Sequence, residues 1–160
     1  MSVISSHSAL NRLFSSTLQT RLIAARALVQ EQWQLDTAWL ESFKNKLSTA
    51  DVITFDVFDT ALTRIVETPA DVFALMEDSL THNYGPTFNN FALERETAEH
   101  VARHTAWHQE KRREVTQHDI YTALAGLLPQ TLCSPHHLAA LEREIEHHVC
   151  LATPEIQQAV

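Results

Sequence analysis

The six residues Asp51-Val-Ile-Thr-Phe-Asp56 constrain this chain more than any other feature. They are β-branched and apolar on both faces, the pattern of a strand buried in a parallel sheet rather than one with a wet side. No other segment reads this way. A lone buried strand cannot satisfy its own backbone groups, and stable sheets hold about three or more strands or equivalent cover. The chain is therefore expected either to meet a homo-oligomeric or other partner that covers the strand, or to be the front part of a longer protein. The second is simpler, because a helix that starts at Thr153 has under two turns before Val160.

The rest of the chain reads as helix. Apolar residues recur at helical spacing over 8–30 (Leu10, Leu13, Phe14, Leu18, Leu22, Ala25, Val29) and over 33–47 (Leu35, Trp39, Leu40, Phe43, Leu47). Helix starts are legible downstream. Thr68-Pro69, Ser134-Pro135 and Thr153-Pro154 each set a capping hydroxyl before a proline at the first helical position, and Thr116 with Asp119 resembles a capping box. These signals predict helices at about 69–81, 88–114, 117–128, 135–150 and from 154, with a break at Gly85-Pro86. Gly85 and Gly126 are the only glycines in 160 residues. That excludes Walker and dinucleotide-binding loops and disfavours a tight-turned β-sandwich or barrel.

Charge narrows the partners. The formal net charge of −8 disfavours sequence-independent nucleic-acid binding, which needs a basic surface. The basic cluster Lys111-Arg112-Arg113 lies between Glu110 and Glu114 and reads as a solvated helix face. Residues 1–30 hold Arg12, Arg21 and Arg26, no acid, and six serines by residue 16; the other 130 residues have nine basic against twenty acidic side chains. An acid-free, Ser- and Arg-rich helix suits docking against the rest of the domain, a transit peptide or a membrane surface; docking is the simplest of the three. No apolar run approaches the ~20 residues of a transmembrane span, and nothing resembles a secretory signal. Two cysteines, Cys133 and Cys150, make no disulfide framework. A cytoplasmic protein is expected.

The chemistry concentrates after the strand. An aspartate at the C-terminal end of a buried strand stands where open α/β sheets hold their ligands, and there it can act as a nucleophile. Asp56 has that place, and Thr60, a turn later, can hydrogen-bond the carboxylate or a transferred group. An Asp- and Thr-punctuated turn is the plainer alternative.

Phe55-Asp56-Val57-Phe58-Asp59-Thr60-Ala61-Leu62, followed by Arg64, resembles the first motif of the haloacid dehalogenase-like (HAD) hydrolase superfamily, especially its FDVFDTLL branch. Thr68-Pro69-x-Asp71-Val72-Phe73, Arg95-x-x-Ala98-Glu99-x-x-x-Ala102-Arg103, Glu114-Val115-Thr116 and Ile120-Tyr121 are similar to its helical cap. The resemblance covers roughly residues 50–160. It implies an α/β, HAD-like Rossmannoid family fold of which this chain is the predominantly α part. The divisions it implies are the first core strand and motif loop over 49–66, a helical cap over 67–152, and the start of a core helix over 153–160; the helical hairpin over 1–48, read from periodicity, falls outside it.

The resemblance further implies Asp56 as nucleophile, Thr60 as the motif's closing hydroxyl, and a Mg²⁺ ion bound by Asp56 and the Phe58 backbone carbonyl. The substrate would be a small phosphorylated compound. Phe58 stands where phosphatases of the superfamily carry a second, acid/base aspartate, and Asp59 comes one residue too late. Dehalogenase-type members also lack that aspartate. The family's later Ser/Thr, Lys and acidic pair have no counterpart here, so this chain alone is expected to be inactive. The rival expectation is a non-catalytic helical module whose hairpin docks a partner.

Ten histidines offer other chemistry. His100, His104 and His108 recur every fourth residue; an adjacent pair can chelate a metal, and a solvated or cap-lining stripe is the plainer reading. Cys133-x-x-His136 and His147-x-x-Cys150 mimic a zinc pattern. On one helix, however, His136 and His147 stand about 16 Å apart at 1.5 Å per residue, too far for one ion. Trp33, Trp39 and Trp107 are expected in a core or an interface.

Overall fold

The computed structural model describes residues 13–33, 36–54, 56–58, 60–128 and 133–159. It is mostly helical, with one small antiparallel ladder among the described residues. The chain divides into two units: 13–19 with 68–147, and 20–67 with 148–159. The 68–147 part of the first is thus inserted, in chain order, into the second, while 13–19 precedes it.

The inserted unit is built on α3 (Asp71–Tyr84), α4 (Phe91–Thr105), α5 (Gln117–Leu127) and most of α6 (Pro135–Val149). Val72, Met76, Leu80, Phe91, Ala98, Ala102, Ile120, Tyr121, Leu124, Leu138, Leu141 and Ile145 fill its core at helical intervals. Burying a large apolar side chain of this kind contributes about 1.5–3 kcal/mol. Tyr84, Phe88 and Phe91 form a chain of tilted rings with centroids 5.9 and 6.4 Å apart. Leu13 and Phe14 are buried, and the Leu13 carbonyl accepts a hydrogen bond from Asn83 of α3; the helix that follows, Ser16–Gln32, buries none of its residues, so the apolar spacing at Leu18, Leu22, Ala25 and Val29 forms no buried face.

The helix starts differ in an instructive way. The Thr116–Asp119 box forms: Thr116 Oγ1 accepts from the Asp119 N–H at 3.2 Å and Asp119 Oδ2 accepts from the Thr116 N–H at 2.7 Å. Thr116→Ala is expected to destabilise the inserted unit by about 1 kcal/mol, read as a lower urea midpoint with unchanged slope. Pro135 opens α6, with Ser134 Oγ accepting from the His137 N–H. Thr68 does not cap α3, which starts at Asp71 after Ala70; instead the Thr68 N–H donates to the Asp71 carboxylate. Gly85 ends α3 at φ 93°, a left-handed region open to glycine at little steric cost. Residues 1–12 and 34–35, including Leu10, Arg12 and Leu35, lie outside the described residues.

The helix expected over 88–114 is shorter. After α4 the chain widens into a π turn at Ala106–Glu110 and stops at Lys111, a left-handed residue with φ 57°. The cluster Lys111-Arg112-Arg113 is therefore not a helix face. Arg112 turns back to donate to Glu110, the Glu114 carbonyl and Asp119, clasping the start of α5. Those bonds, with the Thr116 cap, hold the Asp119 carboxyl well below the usual carboxylate range, the Arg112 contribution being the largest.

A remote carboxylate caps α4. Glu77 of α3 accepts the Ala92 N–H at 3.0 Å, doing for α4 what Asn90, left-handed at φ 75°, does not. Glu94 lies close by, and burial first, then the Glu77 charge, pushes its carboxyl pKa up. A carboxyl raised on folding penalises the folded state above its folded pKa, and the penalty vanishes below its unfolded pKa near 4.3. Glu94→Gln is therefore expected to stabilise the unit at pH 7 by under about 1 kcal/mol, with the gain disappearing on acidification below about pH 4.

The second unit contains most of α1 (Ser16–Gln32), α2 (Thr37–Ser48), and α7 (Pro154–Ala159). Asp36 caps α2 by accepting from the Ala38 and Trp39 N–H groups, and Trp39 stacks on Phe43 at 4.8 Å while staying partly exposed. The buried strand expected over 51–56 does not form. Residues 51–54 are irregular and exposed, Val52 by 80%, and Phe55 lies outside the described residues. The ladder falls later, pairing β1 (Leu62–Arg64) with β2 (Cys150–Ala152), and Thr63 faces Leu151 in register. The physical reason is partnership: a strand exists only where a second backbone offers a ladder, and 150–152 offers it to 62–64. No described helix is long and apolar enough to cross a membrane.

Candidate functional site

The site is built on the turn that joins the 51–54 segment to β1. Val57 O accepts both the Ala61 N–H at 3.0 Å and the Leu62 N–H at 2.8 Å, closing a tight loop. Thr153 fastens its far side, with its N–H on the Ala61 carbonyl and its hydroxyl on the Thr60 carbonyl. The Ile65 N–H donates to Val149 O at 2.9 Å, extending the β1–β2 tie. Hydrogen bonds from Thr153, some ninety residues away, thus hold the Thr60 and Ala61 carbonyls beside this short ladder.

Within the loop Asp56 is exposed, and its Oδ1 accepts the Val57 N–H at 2.8 Å. That bond fixes the carboxylate locally. Thr60 is half-buried, and no hydrogen bond joins it to Asp56 among the described residues. Asp59 lies outside the described residues. Phe58 is partly exposed and carries the Arg64 guanidinium 3.6 Å from its ring centroid. A cation at that distance is attracted by the ring face. Sequence reasoning found Arg64 only through the family pattern and missed this stacking; the six-residue spacing across a reversal of the chain was the available signal. It also missed β2, Cys150-Leu151-Ala152, whose first residue it gave to the preceding helix and whose other two it left unassigned.

The expected magnesium fits only in part. Mg²⁺ takes a near-octahedral set of oxygens. The Asp56 carboxylate and the Phe58 carbonyl would supply two oxygens at most, and the described residues contain no group of three or more His, Cys, Asp or Glu placed to hold an ion. These residues do not make a magnesium site by themselves.

A buried polar network occupies the inserted unit instead. Arg95, on α4, reaches Glu142 of α6 through Nε at 3.0 Å and Nη2 at 3.2 Å, and Glu99 through Nη1 at 3.3 Å. Tyr121 also donates to Glu142. The guanidinium lies over Phe73 at 4.4 Å and near Tyr121 at 5.3 Å. Burial works to lower the Arg95 pKa, but the Glu142 hydrogen bonds and charge outweigh it and raise it. Hydrogen bonds from Arg103, then Arg95, depress Glu99 despite its burial. Burial first and the Glu142 charge second push the Tyr121 hydroxyl far up. Every strong donor and acceptor here is matched, so the network binds α4, α5 and α6 together rather than presenting a reactive group. Cys133 is buried and Cys150 half-buried, and His136 and His147 share one unbroken helix. Comparison with protein-family models, curated proteins and solved structures returned no match.

Proposed function

We propose that this chain carries the nucleophile loop and the helical cap of an aspartyl-nucleophile, HAD-like hydrolase acting on a small phosphorylated compound. The observation that carries the reading is topological. The helical unit 68–147 is inserted between two segments that pair as β1 and β2, and the Asp56–Thr60 loop is fastened to that same ladder. An enzyme that covers an aspartyl nucleophile with an inserted cap has this order of parts.

In this reading Asp56 attacks phosphorus, the bond to the leaving oxygen breaks, and water then releases phosphate from the acyl phosphate. Phe58 has no proton to give the leaving group. Among the described residues no group of three or more His, Cys, Asp or Glu is placed to complete a metal site around Asp56. Preorganised charge of that kind is usually the largest catalytic contribution, so these residues by themselves are expected to be silent. The test is phosphate release from small phosphoesters with Mg²⁺ by the product of the complete reading frame, with and without Asp56→Asn. Turnover that survives the substitution, or none from either protein, returns the chain to the alternative of a helical docking module. The exposed Val52, Ile53 and Val57 beside the loop would then be its contact surface.

A further inference from the structure

We propose that His104 and His108 form a two-imidazole chelate for a divalent late transition-metal ion, with the remaining coordination positions open to water. The pair lies at the end of α4, where the helix widens into the π turn Ala106–Glu110, an irregularity frequent at functional sites. Both side chains are exposed. Their ring centroids are 4.2 Å apart and their planes 36° apart. Neither ring nitrogen forms a hydrogen bond among the described residues. Two nitrogens each about 2 Å from one ion lie about 3 Å apart, a separation these rings reach by modest rotation.

The surroundings permit a cation. Arg103, the adjacent charge on α4, is engaged by Glu99 and Glu114, and Arg112 by Glu110 and Asp119. Lys111 and Arg113 are exposed and free to swing into solvent. Imidazole favours nickel, copper and zinc over magnesium or calcium, and copper is bound tightest in the first-row order. With no third His, Cys, Asp or Glu grouped there among the described residues, the site is open and exchangeable rather than a closed structural one. His100, one turn back, is not needed for it.

The experiment is calorimetric titration of the full chain with NiCl₂, with Cu²⁺ electron paramagnetic resonance as a second readout. One site is expected, weakened at least about tenfold by His104→Ala and by His108→Ala separately, since losing even an outer partner of a ligand costs that much. His100→Ala and the His136→Ala/His137→Ala pair are expected to leave it within about threefold, a margin well inside that loss. Coupling of Cu²⁺ to two nitrogens is expected to fall to one in either single variant. Both side chains are exposed, so the variants should keep the wild-type circular dichroism. Unchanged nickel affinity in the His104→Ala/His108→Ala double variant, or no uptake at millimolar free nickel, overturns the proposal.

Discussion

Replacing Arg95 by alanine is expected to destabilise the inserted helical unit by about 3 kcal/mol, the lower end of what breaking a buried ion pair costs. The Arg95 side chain is 4% exposed and that of Glu142 14%, so removing the guanidinium strands a carboxylate in a poorly solvated place. The same change deletes contacts with the Phe73 and Tyr121 rings and leaves Glu99 only its Arg103 partner. For a unit of this size the loss corresponds to a fall in Tm of roughly 12–24 °C. Arg95→Lys should fall between, because an ammonium keeps the charge but not the two-pronged hydrogen bond to Glu142. Arg95→Met combined with Glu142→Leu should recover part of the stability, since no charge is then left unpaired, although the buried Tyr121 hydroxyl loses its carboxylate acceptor. Thermal melts of the four proteins decide the matter. A double variant no more stable than Arg95→Ala would show that packing, not the stranded charge, dominates.

Under the proposed hydrolase function, Asp56→Asn is expected to abolish phosphate release by the full gene product, by at least about 10³-fold and toward the 10⁶-fold seen when a nucleophile is removed elsewhere. An amide is isosteric with the carboxylate and can still accept the Val57 N–H, so the loop should stay folded. What vanishes is the nucleophilic oxygen. Asp59→Asn is the matched control: the family pattern gives it no chemical role, so its effect should be within about tenfold, far short of nucleophile loss. Equal loss in both variants would mean that the turn's total negative charge, not a nucleophile at Asp56, supports activity. Circular dichroism of Asp56→Asn separates either outcome from unfolding.

Helix content and several helix ends were legible in the residues. Thr116 and Asp119 stand three apart and meet, and Pro135 opens α6. Such signals work because a helix closes its hydrogen bonds within four residues and its caps within three. The end of α4 was not legible, since nothing local forbids helix through Lys111; Arg112 is drawn instead to Glu110, Glu114 and Asp119. Asp56 and Thr60 could be named from the motif, but what they touch could not.

The six residues 51–56 mark the boundary most clearly. Their composition favours a strand, yet composition supplies no partner, and 51–54 is left exposed while Leu62–Arg64 takes the ladder with Cys150–Ala152. By itself the sequence determined a helix-rich chain and several of its caps, the Thr116–Asp119 box above all, properties that act over a few residues. The tertiary structure decided which segment is a strand, which carboxylate neutralises Arg95, and which ring carries Arg64. Backbone ladders and paired charges acquire their energy only when segments distant along the chain are brought together.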